Sequence, residues 1–279
     1  MNVRSLLSLS ALAFAVTSIM PMPIAAQATQ GAAKTKENAV IRTQTFDYKQ
    51  GDTVLEGFIA WDDARTGKMP GVLVFSQWTG PSDHERNAAR ELAKLGYVAM
   101  VADVYGKGIH PPAPKESGIE VAKYINNRAL LRARVRAGFD RLLADSHVDA
   151  SNIAAIGYCF GGAGALELGR QGANVRAIVV FHGTLSNPTP ADARNIKAHV
   201  LVLHGADDPN VPQGEVEAFK AEMKEANVDL EFVAYSGTVH SFTINMVGYP
   251  TNPGSHYNAV SAKRSWIAMQ DFLKETLGQ

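Results

Sequence analysis

The single cysteine of the chain has the surroundings of a nucleophile. Cys159 lies in the run Gly157-Tyr158-Cys159-Phe160-Gly161, between an apolar stretch at residues 153–156 and a predicted helix. This is the pattern of a nucleophile elbow, a sharp turn between a strand and a helix, with cysteine where serine is more usual. The flanking glycines lack Cβ atoms that would clash at the bend, and the helix N-terminus favours a thiolate. We therefore predict that Cys159 is a nucleophile; the ordinary alternative is a small apolar core residue.

An acid and a base follow the cysteine in the order expected for such an elbow, each after a later strand. A predicted strand at residues 200–203 leads into a loop that holds Asp207 and Asp208, of which we predict Asp208 as the acid, with Asp207 as the alternative. A turn-forming role is common for any loop aspartate. A strand at residues 231–235 leads into His240, which we predict as the base.

Most of the eight histidines lack this placement. His182 and His204 each follow a predicted strand and precede a glycine, so they can approach the same face, and we interpret both as structural. No cluster of histidines and carboxylates has the spacing of metal ligands, and no glycine-rich nucleotide loop follows a strand. The sequence therefore predicts neither a metal ion nor an organic cofactor.

These side chains need a scaffold, and the apolar pattern indicates an α/β fold. Short, nearly all-apolar runs alternate with helical patterns, which is typical of a mostly parallel sheet covered by helices on both faces. Alternation over residues 40–48 and 53–61 instead predicts an N-terminal antiparallel hairpin. The predicted strands are 71–75, 97–102, 153–156, 175–181, 200–203 and 231–235, and the predicted helices are 83–95, 129–144, 162–170, 213–226 and 257–276. The Pro- and Gly-rich residues 106–118 are predicted to be a loop, either roofing a pocket or merely connecting elements.

The N-terminus has the three regions of a secretory signal peptide. A positive Arg4 precedes an apolar run from about residue 6 to residue 20, and small residues at Ala26 and Ala28 suit a cleavage site. The apolar run is shorter than the roughly 20 residues that span a bilayer, so a retained anchor is the less favoured alternative.

The domain prediction follows from this leader. We predict a signal peptide at residues 1–28, a poorly ordered leader at 29–38 and a single domain at 39–279, long enough to bury a sizeable core. The predicted location is the periplasm or the outside of the cell, with no stable membrane insertion after cleavage.

The charge balance argues against a polyelectrolyte partner. Lysine and arginine together number 27, as do aspartate and glutamate, and no long basic run occurs. Nucleic acid or an anionic membrane surface therefore has no electrostatic basis as a partner, and a small molecule is the predicted one. The sequence does not indicate an oligomeric state.

Six blocks together give the chain a resemblance to the dienelactone hydrolase family over nearly the whole of the predicted domain. The blocks are Ser76-Gln77-Trp78-Thr79-Gly80, Ala102-Asp103-Val104-Tyr105-Gly106, IGYCFGGAGALELG, Phe181-His182-Gly183, LHGADDPNVP and YSGTVHSF. The resemblance implies an α/β-hydrolase fold and a Cys159, His240 and Asp208 triad acting on esters or lactones without a cofactor.

The resemblance also assigns supporting residues. It implies an oxyanion hole from the backbone N–H groups of Trp78 and Phe160, and substrate contacts at Gln77, Tyr105 and Ser241. Family members that hydrolyse dienelactone carry a glutamate at the position of Gln77.

A second departure concerns substrate binding. Four residues beyond His240, Ile244 stands where such enzymes carry a substrate-binding arginine. Dienelactone itself is therefore not the expected substrate. Other acyl-transfer enzymes, such as a thioesterase or a cysteine peptidase, would use the same triad, and a non-catalytic exported binding module of the same fold is the alternative of a different class.

Overall fold

One eight-stranded sheet forms the centre of the described chain, which comprises Met1 and residues 39–112 and 114–278 of this computed structural model. The chain divides into two units, Met1–Thr35 and Lys36–Gln279, and every described helix and strand belongs to the second. The predicted signal peptide and leader lie outside the described residues, apart from Met1.

The strands follow the order β1-β2-β4-β3-β5-β6-β7-β8 across the sheet. The first two form an antiparallel hairpin, the second pairs antiparallel with the fourth, and all remaining pairs are parallel. The strands are β1 (Ile41–Gln50), β2 (Thr53–Asp62), β3 (Met69–Phe75), β4 (Val98–Ala102), β5 (Val148–Tyr158), β6 (Ala177–Phe181), β7 (His199–Gly205) and β8 (Leu230–Tyr235).

Helices cover both faces of the sheet, as the alternation of elements predicts. Residues of α1 and α6 pack in the apolar layer on one face, and residues of α2, α3, α4 and α5 pack in the layer on the other. The helices are α1 (Asp83–Lys94), α2 (Pro114–Ile125), α3 (Arg128–Leu143), α4 (Phe160–Arg170), α5 (Gln213–Glu225) and α6 (Ala259–Leu277), with a 3₁₀ helix at Pro190–Asn195. Within the described residues, none of the helices is long and apolar enough to cross a membrane.

The central strands are apolar because both of their faces are buried. Every residue of β3, β4 and β6 is buried, which explains why these segments read as continuous apolar runs. The carboxyl ends of parallel strands share one edge of the sheet, so the loops that follow β3, β5, β7 and β8 are brought to the same edge. These four loops, together with the loop after β4 at the same edge, hold the residues that the sequence selects.

The predicted loop at residues 106–118 is wrong in its second half. The structure has helix α2 from Pro114 onward, and Gly118 is an exposed residue within it. Proline is tolerated as the first residue of a helix because its missing N–H has no partner there, and one exposed glycine does not break a helix. The proline and glycine content of this segment therefore led to the wrong prediction of a loop where α2 begins.

The bounds of several other elements differ from the prediction, most of all those of β5. Strand β5 begins at Val148, five residues earlier than predicted, and its pairing with β3 shifts register between Pro70 and Gly71. The hairpin turn is confirmed but tighter than predicted, since β1 extends to Gln50 and leaves only Gly51 and Asp52 before β2.

Candidate active site

Cys159 occupies a strained bend between β5 and α4. Its backbone has a φ of +53°, a region that residues other than glycine rarely adopt. A Cβ atom at Gly157 would overlap the carbonyl oxygen of Gly161, and a Cβ atom at Gly161 would overlap the carbonyl oxygen of Phe75. The two glycines therefore permit the close approach that holds the cysteine in this conformation.

The thiol, an imidazole and a carboxylate form one hydrogen-bonded chain. The Sγ atom of Cys159 lies 3.1 Å from Nε2 of His240, and Nδ1 of His240 lies 2.7 Å from Oδ2 of Asp208. His240 and Asp208 are each 6% exposed, whereas Cys159 is partly exposed. The nucleophile position is therefore partly open to solvent, whereas His240 and Asp208 are shielded.

The loop after β7 holds Asp208 in place. Its Oδ1 accepts a hydrogen bond from the backbone N–H of Asn210 at 2.8 Å, while its own N–H donates to the carbonyl oxygen of Gly205. The neighbouring Asp207 is exposed. Of the two candidate acids, Asp208 is the one that contacts His240.

The surroundings of His240 favour its charged form. Burial lowers the pKa of the imidazole, but the negative charge of a Cys159 thiolate and the hydrogen bond to Asp208 outweigh burial and raise this pKa to about 10. An imidazolium next to the sulfur stabilises a thiolate, so the arrangement can hold a thiolate and imidazolium pair.

The backbone groups predicted for the oxyanion hole belong to residues that follow β3 and β5, two neighbouring strands of the sheet. Trp78 follows β3, and Phe160 directly follows Cys159 as the first residue of α4. The first N–H of a helix has no partner within the helix. Within the described residues, the N–H of Trp78 donates to no backbone carbonyl either.

Tyr105 contacts both of these residues. Its hydroxyl donates a hydrogen bond to the carbonyl oxygen of Trp78 at 2.9 Å, and its ring stacks on the Phe160 ring with centroids 5.6 Å apart. Burial raises the pKa of Tyr105, and the charge of Cys159 raises it further, so its hydroxyl keeps its proton and acts as a donor.

The other predicted substrate contacts have unequal surroundings. Gln77 is 0% exposed, and neither its Oε1 nor its Nε2 has a hydrogen-bond partner within the described residues. Ser241 is buried with a φ of +55°, and its Oγ lies 3.4 Å from the hydroxyl of Tyr249. Ile244 is buried as well, so the position where the resemblance implies an arginine holds an apolar side chain.

Two contacts around the site were not predicted from the sequence. The hydroxyl of Tyr249 accepts a hydrogen bond from Nε1 of Trp78 at 3.0 Å, which joins the loop after His240 to the loop after β3. Tyr249 lies in no recognisable motif, so no sequence signal indicates this contact. Burial raises its pKa, followed by the charge of Cys159.

His182 is the second neighbour that the sequence placed only loosely. Its ring packs edge-on against the His240 ring with centroids 5.2 Å apart, and its Nε2 lies 2.8 Å from Oγ1 of Thr243. Burial lowers the pKa of His182 well below its ordinary value, followed by the charge of His240, so it stays neutral beside the imidazolium. His204 packs instead against Phe232. Among the described residues, no group of three or more His, Cys, Asp or Glu side chains is arranged to hold a metal ion.

The sheet order and the elbow define an α/β-hydrolase. The model of the dienelactone hydrolase family matches residues 55–277, and the chain belongs to that family. It is therefore a carboxylic ester hydrolase by family.

Known proteins resemble the chain over most of its length. A Yersinia pestis protein described as "Putative carboxymethylenebutenolidase" is 29% identical over 239 residues, which are 81% of this chain and 85% of that protein. The crystal structure of a dienelactone hydrolase-like promiscuous phosphotriesterase from metagenomic libraries is 40% identical, with a TM-score of 0.82, over 86% of this chain and 99% of that one. An α/β-hydrolase from a Medee basin deep-sea metagenome shares the fold at 20% identity and a TM-score of 0.61, over 85% of this chain and 99% of that one.

Proposed function

We propose that the protein hydrolyses carboxylic esters or lactones through a covalent acyl-enzyme, with Cys159 as nucleophile, His240 as acid and base, and Asp208 as the group that orients His240. The observation that carries this proposal is the pair of short contacts, 3.1 Å from Sγ to Nε2 and 2.7 Å from Nδ1 to Oδ2. A nucleophile next to a base that is itself held by a third group is the arrangement that acyl transfer requires.

In the first half-reaction the thiolate of Cys159 attacks the ester carbonyl carbon. The π electrons of the carbonyl group move onto its oxygen, and the N–H groups of Trp78 and Phe160 stabilise the resulting oxyanion. Each such donor contributes about 2.7 to 4 kcal/mol in acyl-transfer enzymes. The tetrahedral intermediate collapses when the bond from carbon to the leaving oxygen breaks. The His240 imidazolium gives its proton to that oxygen, and the alcohol departs, or stays attached if the substrate is a lactone.

In the second half-reaction His240 acts as a base. The negative charge of the Cys159 thiolate is the strongest of the influences that raise the pKa of this imidazole, and acylation of the sulfur removes that charge. The imidazole of the acyl-enzyme is therefore a weaker proton carrier and can accept a proton from an attacking water. Hydroxide adds to the thioester carbonyl, the carbon–sulfur bond breaks, and the acid leaves with Cys159 restored as a thiolate.

The substrate we propose is a neutral ester or lactone. Gln77 is an uncharged amide, and the position where the resemblance implies a substrate-binding arginine is occupied by Ile244, a buried apolar residue. An acyl group without a negative charge meets these surroundings at lower desolvation cost.

A panel of substrates with wild-type protein and the Cys159→Ala variant tests this assignment. We expect hydrolysis of p-nitrophenyl acetate and of an uncharged lactone by the wild type, with a mass increase of one acetyl group on Cys159 under rapid quench. Faster turnover of thioesters or peptides than of oxoesters would favour a thioesterase or a cysteine peptidase instead. No turnover of any substrate would favour a non-catalytic binding module.

Phosphotriesters are a second candidate substrate class. The support is the similarity to a promiscuous phosphotriesterase at 40% identity over 86% of the chain. Attack of the Cys159 thiolate on phosphorus would displace an aryl oxide and leave a phosphorylated cysteine. Release of p-nitrophenol from paraoxon by the wild type, absent from the Cys159→Ala variant, supports this activity, and equal release by both proteins contradicts it.

We also propose that the protein is exported to the periplasm or beyond. The support is Arg4 followed by an apolar run and by small residues at Ala26 and Ala28. Mass spectrometry of the N-terminus of protein secreted by a bacterial host tests the proposal, with a mature start near Thr29 as the expected result. A full-length N-terminus in the cytoplasm contradicts it.

A further inference from the structure

A cavity of about 520 Å³ lies between α1 and α6, on the face of the sheet that these two helices cover. Cys159, Asp208 and His240 do not line it. Its volume falls in the range of sites that hold small molecules, which is about 300 to 1,000 Å³. The cavity is thus large enough for a ligand and separate from the candidate active site.

Four large aromatic side chains line the cavity. Tyr158 and Phe181 line its inner side from the ends of β5 and β6. Trp266 lines it from α6, and Tyr257 lines it from the segment just before α6. Ile267 adds an aliphatic surface that is 45% exposed in the protein. A wall of this composition favours an apolar or aromatic body over a polar one.

One buried polar atom in this wall has no hydrogen-bond partner within the described residues. Nε2 of His84 is buried and makes no hydrogen bond, although its ring packs edge-on against Tyr158 at 4.8 Å. Burial lowers the pKa of His84, so the imidazole is neutral and able to donate or accept a single hydrogen bond. A buried polar atom without a partner is unfavourable, and a ligand atom in the cavity would relieve that cost.

The charged groups of the wall leave one positive charge unmatched. The carboxylate of Glu91 is 2.6 Å from Nζ of Lys94, so its charge is already paired. Lys263 also lines the cavity, and within the described residues it forms no ion pair. The cavity therefore combines an apolar interior, a neutral hydrogen-bonding group and an exposed ammonium.

We propose that this cavity is a second binding site, for a small amphipathic carboxylate such as a short acyl chain or a single aromatic ring with an acid group. The apolar body lies against Tyr158 and Trp266, and the carboxylate pairs with Lys263. The site does not depend on the proposed ester hydrolysis.

The cavity connects to His240 through two contacts. Thr243 lines the cavity, and its Oγ1 is 2.8 Å from Nε2 of His182, whose ring packs against the His240 ring. A ligand that shifts Thr243 therefore changes the packing of His240 without entering the active site. Occupation of the cavity alters turnover of an ester substrate, and it does so without competing with that substrate.

Calorimetric titration of the full-length protein with octanoate tests the proposal, with octan-1-ol as the uncharged match. We expect one saturable octanoate site per chain, retained after Cys159 has been alkylated. Lys263→Gln weakens octanoate binding about threefold and leaves octan-1-ol binding unchanged, as for an exposed ion pair. Lys274→Gln, on the same helix but outside the cavity, changes neither.

Ala262→Phe fills the cavity from α6 and weakens both ligands by about tenfold or more. Circular dichroism shows whether the Ala262→Phe variant folds. If it does not fold, the Lys263→Gln variant, changed at an exposed position, provides the test. The proposal is overturned if octanoate binding is absent, if alkylation of Cys159 abolishes it, or if Lys263→Gln and Lys274→Gln bind octanoate equally. Competitive inhibition of ester hydrolysis by octanoate also overturns the proposal. If the protein has no esterase activity, the calorimetric titration still gives its result, so the two proposals fail separately.

Discussion

The hydroxyl of Tyr105 donates a hydrogen bond to the carbonyl oxygen of Trp78 at 2.9 Å, while the Tyr105 ring stacks on Phe160. One tyrosine from the loop after β4 therefore contacts both residues whose N–H groups are proposed to stabilise the oxyanion. Positions fixed in this way need no rearrangement as negative charge develops, which is the condition for effective electrostatic stabilisation.

Tyr105→Phe tests whether this contact positions the oxyanion donors. The variant keeps the ring and loses one hydrogen bond, so we expect kcat for p-nitrophenyl acetate to fall about two- to tenfold, corresponding to about 0.5–1.5 kcal/mol. Tyr124→Phe is the matched control, because it removes the hydrogen bond from Tyr124 to the carbonyl oxygen of Tyr105, one contact further away. An equal kcat for both variants would contradict the positioning role of Tyr105.

Asp208→Asn and Asp207→Asn separate the two adjacent aspartates. Asp208 contacts Nδ1 of His240 and Asp207 is exposed, so we expect kcat to fall about a hundredfold or more in the first variant and to stay within about twofold in the second. The reason is that an amide stabilises neither the tautomer nor the imidazolium that the carboxylate stabilises. Steady-state kinetics at pH 7.5 measure both, and a larger loss in Asp207→Asn would show that the acid has been misassigned.

Gly157→Ala tests the close approach beneath Cys159. The added Cβ overlaps backbone atoms of Gly161, which cannot move as a flexible side chain would, so we expect the free energy of unfolding to fall by about 3 kcal/mol. Gly118→Ala is the control, since Gly118 is an exposed residue within α2 with open space around it. Alanine there is expected to raise the free energy of unfolding by about 0.5–1 kcal/mol. Urea unfolding measures both, and a neutral Gly157→Ala would contradict the steric argument.

The protonation of His240 predicts how stability depends on pH. Its pKa is about 10 in the folded protein, against an ordinary value of 6.5, so folding favours the bound proton. This contribution is fully present below pH 6.5, decreases above it and is lost as the pH rises through about 10. The free energy of unfolding should therefore fall over this window in the wild type and fall less in His240→Gln, whereas His256→Gln, at an exposed position, should follow the wild type. Identical slopes in wild type and His240→Gln would contradict the raised pKa.

The arrangement of strands and helices and the order of the reactive residues could be predicted from the sequence because both depend on local patterns. Buried strands such as β6 are apolar throughout, and Asp208 and His240 follow strand ends that periodicity locates. The extent of β5 depended on a register shift against β3, which is a property of two strands and not of one.

Tyr249 and His182 illustrate what local pattern does not supply. Tyr249 reaches Trp78 across 171 positions of the chain, from a segment between His240 and α6 that belongs to no helix and no principal strand. His182 was located at a strand end, but its edge-on contact with His240 depends on how two loops pack. Contacts of this kind follow from tertiary packing, for which a single sequence gives no spacing rule.

Hydrolysis of p-nitrophenyl acetate by Cys159→Ala is the most direct test of the account. The sulfur is the only protein atom that forms a covalent bond to the carbonyl carbon in the proposed reaction, so kcat/KM of the folded variant should fall by about a thousandfold or more relative to wild type measured in parallel. Cys159→Ala protein that hydrolyses the ester at a rate near that of the wild type would contradict the proposed nucleophile.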